Sequence, residues 1–199
     1  MTQETTLDAL AQYPLEVKLD DGQTVQLNPA HPDDSQAIVE FAQELPEQDL
    51  LFLRVDITQK DVVDHWLANV SQGDTISILA WVDGKVVGYG TVDRNRAHWT
   101  RRMGEIRVNV AQAYRSHGLG RHLVGKIFDI GRRIGLKKLT ANMTPDQAGA
   151  QAAFSKLGFR PEALLADCVE DRDGNIHDLV ILSYDMEGLS SQIDSPLQV

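Results

Sequence analysis

The chain has 199 residues, 42% of them apolar, and a formal net charge of −10. That length and apolar content suit one sizeable core in a single domain. The acidic balance excludes a protein that binds nucleic acid or an anionic membrane over its whole surface. No segment approaches the roughly 20 apolar residues needed to cross a bilayer. The start MTQETTLDALAQYPLEV lacks the basic-then-apolar pattern of a signal peptide. The lone Cys168 has no partner for an internal disulfide, which fits a reducing cytoplasm, and no activating motif beside it marks a nucleophile.

LEVKLDDGQTVQLNP alternates around Asp21-Gly22 and reads as an N-terminal hairpin. HPDDSQAIVEFAQEL follows as a helix, with Asp33, Asp34 or Ser35 as its cap and Ile38, Phe41 and Ala42 on its apolar face. A second helix is expected over TQKDVVDHWLANV, opened by Thr58 and carrying Val62, Val63, Trp66 and Leu67. The strands TISILAWV and KVVGYGTV are joined by Asp83-Gly84, a strong hairpin signal. A third strand, GEIRVNV, sets Ile106, Val108 and Val110 on one face and Glu105, Arg107 and Asn109 on the other. The stretch AYRSHGLGRHLVGK then runs into a helix whose Leu119, Leu123, Val124, Ile127, Phe128 and Ile134 recur at helical spacing. A short strand KKLTANMT and a helix DQAGAQAAFSKLGF come next, with Gly158 placed to end that helix in a left-handed cap. The final strand pair turns at Asp173-Gly174. A polar tail follows. The pattern predicts an α+β domain over residues 14–186, with a mixed, mostly antiparallel central sheet flanked by about four helices and with flexible termini at 1–13 and 187–199.

Between residues 115 and 138 seven Lys and Arg face only Asp129, a basic island in an acidic chain. It is either a solvated helix face or the seat of an anionic ligand. A nucleotide P-loop is excluded, because Ile127 stands where the Mg²⁺-binding hydroxyl belongs, and the Gly-x-Gly-x-x-Gly fingerprint is absent from this loop. What remains is Arg115-x-x-Gly118-x-Gly120 between a strand and a helix. Glycines there let main-chain N–H groups close around a phosphate, and the helix N-terminus adds partial positive charge. The alternative is that Gly118 serves only a tight turn.

The stretch VNVAQAYRSHGLGRHLV resembles the acetyl-CoA-binding motif of the GNAT N-acetyltransferase superfamily, Arg/Gln-x-x-Gly-x-Gly/Ala. Downstream, DQAGAQAAFSKLGF is similar to the family's Asn-x-x-Ala-x-x-x-Tyr-x-Lys-x-Gly-Phe helix, with Ala150, Lys156, Gly158 and Phe159 matching. The likeness covers about residues 16–186 and extends to the order of helices and strands. Within the superfamily the GNAT domains of bacterial protein lysine acetyltransferases look similar, since they too set a Glu five residues before the last strand valine, as Glu105 stands to Val110.

The resemblance implies an N-acetyltransferase with acetyl-CoA as acyl donor and no metal. It implies that main-chain groups of Val108, Asn109 and Val110 pair with the pantetheine arm, and that N–H groups of Ser116, His117, Gly118, Leu119, Gly120 and Arg121 surround the pyrophosphate, with Arg115 at the head of the motif. An alkylammonium has a pKa near 10, so a base must remove its proton before attack. The resemblance puts Glu105 in that role; a strand-face Glu paired with Arg107 or Arg101 is the alternative. A main-chain N–H, that of Val110, would hold the oxyanion. Two positions depart from the family. Phe154 stands where a tyrosine usually protonates the leaving thiolate, and Gln147 replaces the usual asparagine. A thiolate whose conjugate acid has a pKa of about 8.5 is a fair leaving group unaided; water, His177 or Tyr184 are the alternative acids, and Phe154 would still pack beside the cofactor.

Carboxylates at Glu44, Glu47 and Asp49, and at Asp167, Glu170, Asp171, Asp173 and Asp178, flank the expected acceptor entrance and suggest a cationic amine such as a polyamine or a protein lysine. Trp99 among Arg94, Arg96, Arg101 and Arg102 reads as a structural or dimer contact rather than a nucleic-acid site. Because of Phe154, a non-catalytic acyl-CoA sensor of the same fold is the competing reading. A domain for some unrelated nucleotide is the third.

Overall fold

A computed structural model of the chain describes residues 8–50, 53, 55–94 and 97–187, the side chains of residues 47 and 48 apart. Eight strands form one sheet in the order β1-β2-β3-β4-β5-β6-β8-β7. The strands are β1 (Leu15–Lys18), β2 (Thr24–Pro29), β3 (Thr75–Val82), β4 (Lys85–Arg94), β5 (Met103–Val110), β6 (Lys138–Met143), β7 (Arg160–Glu170) and β8 (Ile176–Asp185). Every neighbouring pair is antiparallel except β5–β6. Among the described residues α-helices run over α1 (Ser35–Gln43), α2 (Glu47–Leu50), α3 (Lys60–Ser71), α4 (Leu119–Arg133) and α5 (Ala148–Lys156). The mixed α+β sheet matches the sequence expectation; the short α2 is the helix the periodicity did not show, since four residues carry too little of a 3.6-residue repeat to register.

Asp34, one of the expected cap candidates, is the N-cap residue of α1, without a side-chain cap hydrogen bond, whereas the start of α3 differs from expectation. His31 caps a 3₁₀ turn at Pro32–Asp34, and the Asp34 carboxylate accepts from the His31 N–H at 2.7 Å, so the chain is already turning before α1 begins. Thr58 does not open α3. Its hydroxyl donates to Asp56 at 2.5 Å, and Gln59 occupies the cap position without a side-chain hydrogen bond. Gly158 behaves as its position predicts: φ is +94°, Phe159 N–H donates to Phe154 O and Gly158 N–H to Ser155 O, the Schellman closure.

The sheet has two covered faces. On one, Leu119, Leu123, Ile127 and Ile130 of α4 pack with Ile78, Val92, Ile106 and Leu139 in the larger core, all essentially buried. Truncating one of these leucines to Ala would cost about 2–5 kcal/mol. On the other, Ile38, Phe41 and Ala42 of α1 and Val63 and Leu67 of α3 pack on Leu79, Val86 and Tyr89. Ala9 is buried and Leu10 and Tyr13 pack on the larger core, so the packed body reaches upstream of residue 14; residues 1–7 and 188–199 of the expected flexible termini lie outside the described residues. No helix among the described residues is long and apolar enough to cross a membrane.

One topological feature positions everything that follows. β5 pairs with β4 from Gly104 through Val110, but with β6 only over Met103–Glu105. Beyond Glu105 the sheet therefore splits, and among the described residues no strand lies beside the far edge of β5.

Candidate active site

Alternation along β5 decides which main-chain groups face the split. Ala111 N–H donates to Val87 O at 2.9 Å, which makes Ala111–Val87 a hydrogen-bonded pair in the antiparallel ladder. Two residues back, Asn109 then turns its main chain toward Tyr89, whereas Val108 and Val110 turn theirs away from β4 into the split. The Val110 carbonyl already accepts from Arg115 Nε at 3.0 Å. Of the three residues expected to pair with the pantetheine arm, Val108 and Val110 turn their main chains into the split, and the Asn109 side chain donates to Tyr89 Oη at 2.9 Å on the α3 face.

After β5 a 3₁₀ turn at Gln112–Tyr114 leads into Arg115-Ser116-His117-Gly118 and then α4. Ser116 and Gly118 both have positive φ, +65° and +89°. Gly118 is the N-cap residue of α4 and supplies no side-chain cap, so first-turn N–H groups are left for a ligand to satisfy. A Cβ on Gly118 would lie 2.9 Å from Asp20 Oδ2 and 3.1 Å from Arg121, so space as well as φ demands glycine. The Leu119 side chain is buried, and a Cβ on Gly120 would meet only Val110 Cγ2, at 3.9 Å. Arg115 pairs with Asp49, Arg121 with Asp20 at 3.0 Å, and His117 with Asp21 at 3.3 Å.

On the α3 face, Glu105 lines a cleft of about 920 Å³ with Asp61, His65, Trp66, Asn69, Asp93 and Arg107 among its walls. Arg107 donates through Nε to Glu105 Oε1 at 3.1 Å, makes a second bond through Nη2, and lies 3.7 Å from Asp93. Glu105 and Arg107 side chains are each 24% exposed, shielded enough for the pair to be oriented and open enough to be reached. Cross-strand register extends this into a polar file: Thr75, Asp93, Glu105 and Thr140 are successive partners across β3, β4, β5 and β6. Thr75 donates to Asp93 at 2.6 Å, and Ser77 to Thr91 at 2.9 Å in the next row. Burial pushes the Tyr89 phenol up, although the Asn109 hydrogen bond and Arg107 work against it.

The model of the Acetyltransferase (GNAT) family matches residues 37–159. The chain belongs to the GNAT acetyltransferase family. Among solved structures, the GNAT domain of PAT from S. lividans superposes with a TM-score of 0.71 at 22% identity, covering 86% of this chain and 96% of that one. The structure of yncA from Salmonella typhimurium with its cofactor acetyl-CoA gives 0.69 at 21% identity, covering 81% and 93%. A ribosomal-protein-alanine N-acetyltransferase from Brucella melitensis gives 0.67 at 23% identity, covering 80% and 99%. At these identities the structural likeness speaks for the fold.

GNAT enzymes use acetyl-CoA, and the residues here fit it. The unpaired edge of Val108 and Val110 suits an extended amide-bearing arm, and the Gly118 floor and uncapped helix start suit phosphates. The two positions that depart from the family pattern have these surroundings. Phe154 stacks edge-on against Phe159, with ring centroids 5.0 Å apart, and Phe159 in turn meets Tyr184 at 5.6 Å. Gln147 Oε1 accepts from Thr144 N–H at 3.0 Å and shapes the turn into α5. Of the alternative acids, the Tyr184 ring packs between Phe128 and Phe159, and His177 Nε2 lies 2.7 Å from Asp171 at the β7–β8 turn.

The carboxylates expected at the acceptor entrance stand apart from the Glu105 cleft. Glu44 pairs with Lys85, Asp49 with Arg115, Asp171 with His177, and Asp178 accepts from Asp167 N–H. None of Glu44, Asp49, Asp167, Glu170, Asp171, Asp173 or Asp178 lines the Glu105 cleft, and the Glu47 side chain lies outside the described ones. The cleft takes its acids from α3 (Asp61), the segment between α3 and β3 (Asp74), β4 (Asp93) and β5 (Glu105). That was readable in principle, because Asp61, His65 and Asn69 recur every four residues and Tyr89, Thr91 and Asp93 alternate. The hairpin contributes at the rim: Arg172 pairs with Asp56, beside Val55 and Ile57 of the cleft wall. Although burial opposes it, hydrogen bonds from Thr58 and the Arg172 ion pair hold the Asp56 carboxyl below its usual range.

Proposed function

We propose that this GNAT protein transfers the acetyl group of acetyl-CoA to a cationic primary amine bound in the α3-face cleft, with Glu105 as the base. The observation that carries this reading is positional: Glu105 is the last residue of β5 paired to β6, so it stands where the sheet edge opens and on the face that lines the cleft. Bound acetyl-CoA supplies an acyl group already activated as a thioester.

The chain's own residues would do the rest. Val108 and Val110 offer main-chain groups to the pantetheine arm, and Ser116 through Arg121 offer N–H groups to the phosphates. Glu105 accepts the proton of the ammonium, directly or through one water, because only the neutral amine is nucleophilic. Arg107 fixes the Glu105 carboxylate in one orientation while Asp93 balances the guanidinium charge. The Val110 N–H, turned away from β4, is aimed where negative charge would develop on the carbonyl oxygen. Among the cleft walls, the carboxylates Asp61, Asp74, Asp93 and Glu105 outnumber the guanidinium groups Arg94 and Arg107, a balance that favours an acceptor bearing positive charge.

The test is steady-state acetyl transfer, read as free thiol, with spermidine, a lysine-containing peptide and glutamate as acceptors. The cationic acceptors should be preferred. Glu105→Gln should lower kcat/KM by about 10²–10⁴ while leaving CoA binding intact. Unchanged turnover in that variant would remove Glu105 from the mechanism.

A further inference from the structure

The loop assigned to the cofactor's phosphates is already held by carboxylates, and both come from the far end of the sheet. The β1–β2 turn closes through Gly22 N–H to Leu19 O and Leu19 N–H to Gln23 O, and projects Asp20 and Asp21 over the start of α4. Asp20 makes two bonds of different kinds there. Its N–H donates to His117 O at 3.0 Å, and its carboxylate pairs with Arg121 at 3.0 Å. Asp21 pairs with His117 Nδ1 at 3.3 Å. Asp20 Oδ2 also lies 2.9 Å from where a Gly118 Cβ would stand, directly over the floor of the loop.

We propose that Asp20 and Asp21 are counter-ions that stand in for phosphate at this loop and set the affinity for coenzyme A by exchanging with it. The inference rests on the reading of residues 115–121 as the phosphate grip. The physical case is one of unequal partners. The Asp20–Arg121 pair is more than half exposed on both sides, and His117–Asp21 about two-fifths, so each is a weak surface pair. A phosphate brings more charge and more acceptor oxygens to the same guanidinium and imidazole. The pairs therefore yield readily, and their carboxylates then face the incoming phosphates as like charges. The backbone bond from Asp20 to His117 needs no side chain, so the turn stays docked while its carboxylates swing away. Arg115 belongs to a different arrangement: its Nε is tied to Val110 O and its other partner, Asp49, comes from α2.

Asp20→Asn and Asp21→Asn test this, since both keep the shape of the side chain and the main-chain bond. Isothermal titration with CoA and with 3′-dephospho-CoA reads the effect without catalysis. Each substitution should tighten CoA binding about two- to fivefold, the worth of one exposed pair. The gain from Asp20→Asn should vanish in an Arg121→Gln background. A smaller gain with dephospho-CoA than with CoA would be expected if the carboxylate meets the 3′-phosphate; an equal gain assigns it to the pyrophosphate, and either result supports exchange. Unchanged or weakened CoA binding in a variant with a wild-type melting temperature would overturn the proposal and leave Asp20 as a tether. Failure of the wild-type protein to bind CoA at all would overturn the phosphate-grip reading, and this inference with it.

Discussion

Gly104→Ala is the most exacting probe of the seam on which Glu105 stands. Gly104 lies in β5 with ordinary strand φ, so backbone freedom is not the issue. A Cβ there would fall 2.7 Å from Val92 Cγ2, 2.7 Å from Leu136 Cδ1 and 3.3 Å from Leu139 Cδ2. Leu136 can rotate its end away, but Val92 is β-branched and fully buried in the neighbouring strand, so the strands themselves must part. Overpacking of this kind costs about 1–3 kcal/mol, which for a domain of this size lowers Tm by roughly 2–12 °C. The internal control is Gly125→Ala. Gly125 is an exposed position in the middle of α4 with nothing within 4 Å of an added Cβ, so there the same substitution should stabilise by about 0.5–1 kcal/mol. Calorimetric melts and urea titrations of both variants give opposite signs if packing governs. Because Glu105 follows directly, kcat of Gly104→Ala should also fall, by up to about a hundredfold for a displacement near 1 Å. A Gly104→Ala protein within about 0.5 kcal/mol of wild type would refute the packing argument.

Tyr89→Phe removes the acceptor of the Asn109 amide and should cost about 1–2 kcal/mol by urea denaturation at neutral pH. Burial raises the Tyr89 pKa, so its contribution is present below the ordinary tyrosine value near 10 and is lost as pH rises through the raised folded value; Tyr89→Phe should flatten that alkaline decline. The Asp171 carboxyl is held well below its usual range by His177 and by the N–H groups of Asn175 and Asp173, burial opposing. Its stabilisation is thus present above the ordinary aspartate value near 4 and is lost as pH falls toward the depressed folded value, so Asp171→Asn should blunt acid destabilisation as followed by circular dichroism. Phe154→Tyr restores the family's hydroxyl and should change kcat by far less than the roughly hundredfold minimum of a true general acid, because the thiolate departs unaided; a hundredfold gain would show that its departure limits turnover.

Local signals in the sequence determined much of this protein. Asp21-Gly22, Asp83-Gly84 and Asp173-Gly174 mark real hairpins, Gly158 ends α5, and the α4 stripe from Leu119 to Ile134 is buried as its period requires. Each depends on residues within one or two turns of the chain, where φ preferences and side-chain spacing suffice. The glycine loop was legible for the same reason, since Gly118 combines a positive φ with a helix start. Capping at Gln59 was not, because competing polar residues crowd the site and small geometric differences choose among them.

What only the tertiary structure decided are relations between residues far apart in sequence. The insertion of β8 between β6 and β7, and the early end of β5–β6 pairing at Glu105, follow from how whole strands diverge around the packed helices. The Thr75–Asp93–Glu105–Thr140 file exists only once four strands are in register. The pairing of Arg121 with Asp20 closes 101 residues of chain. No periodicity encodes such contacts, because main-chain pairing and loop closure, rather than local preference, bring the groups together.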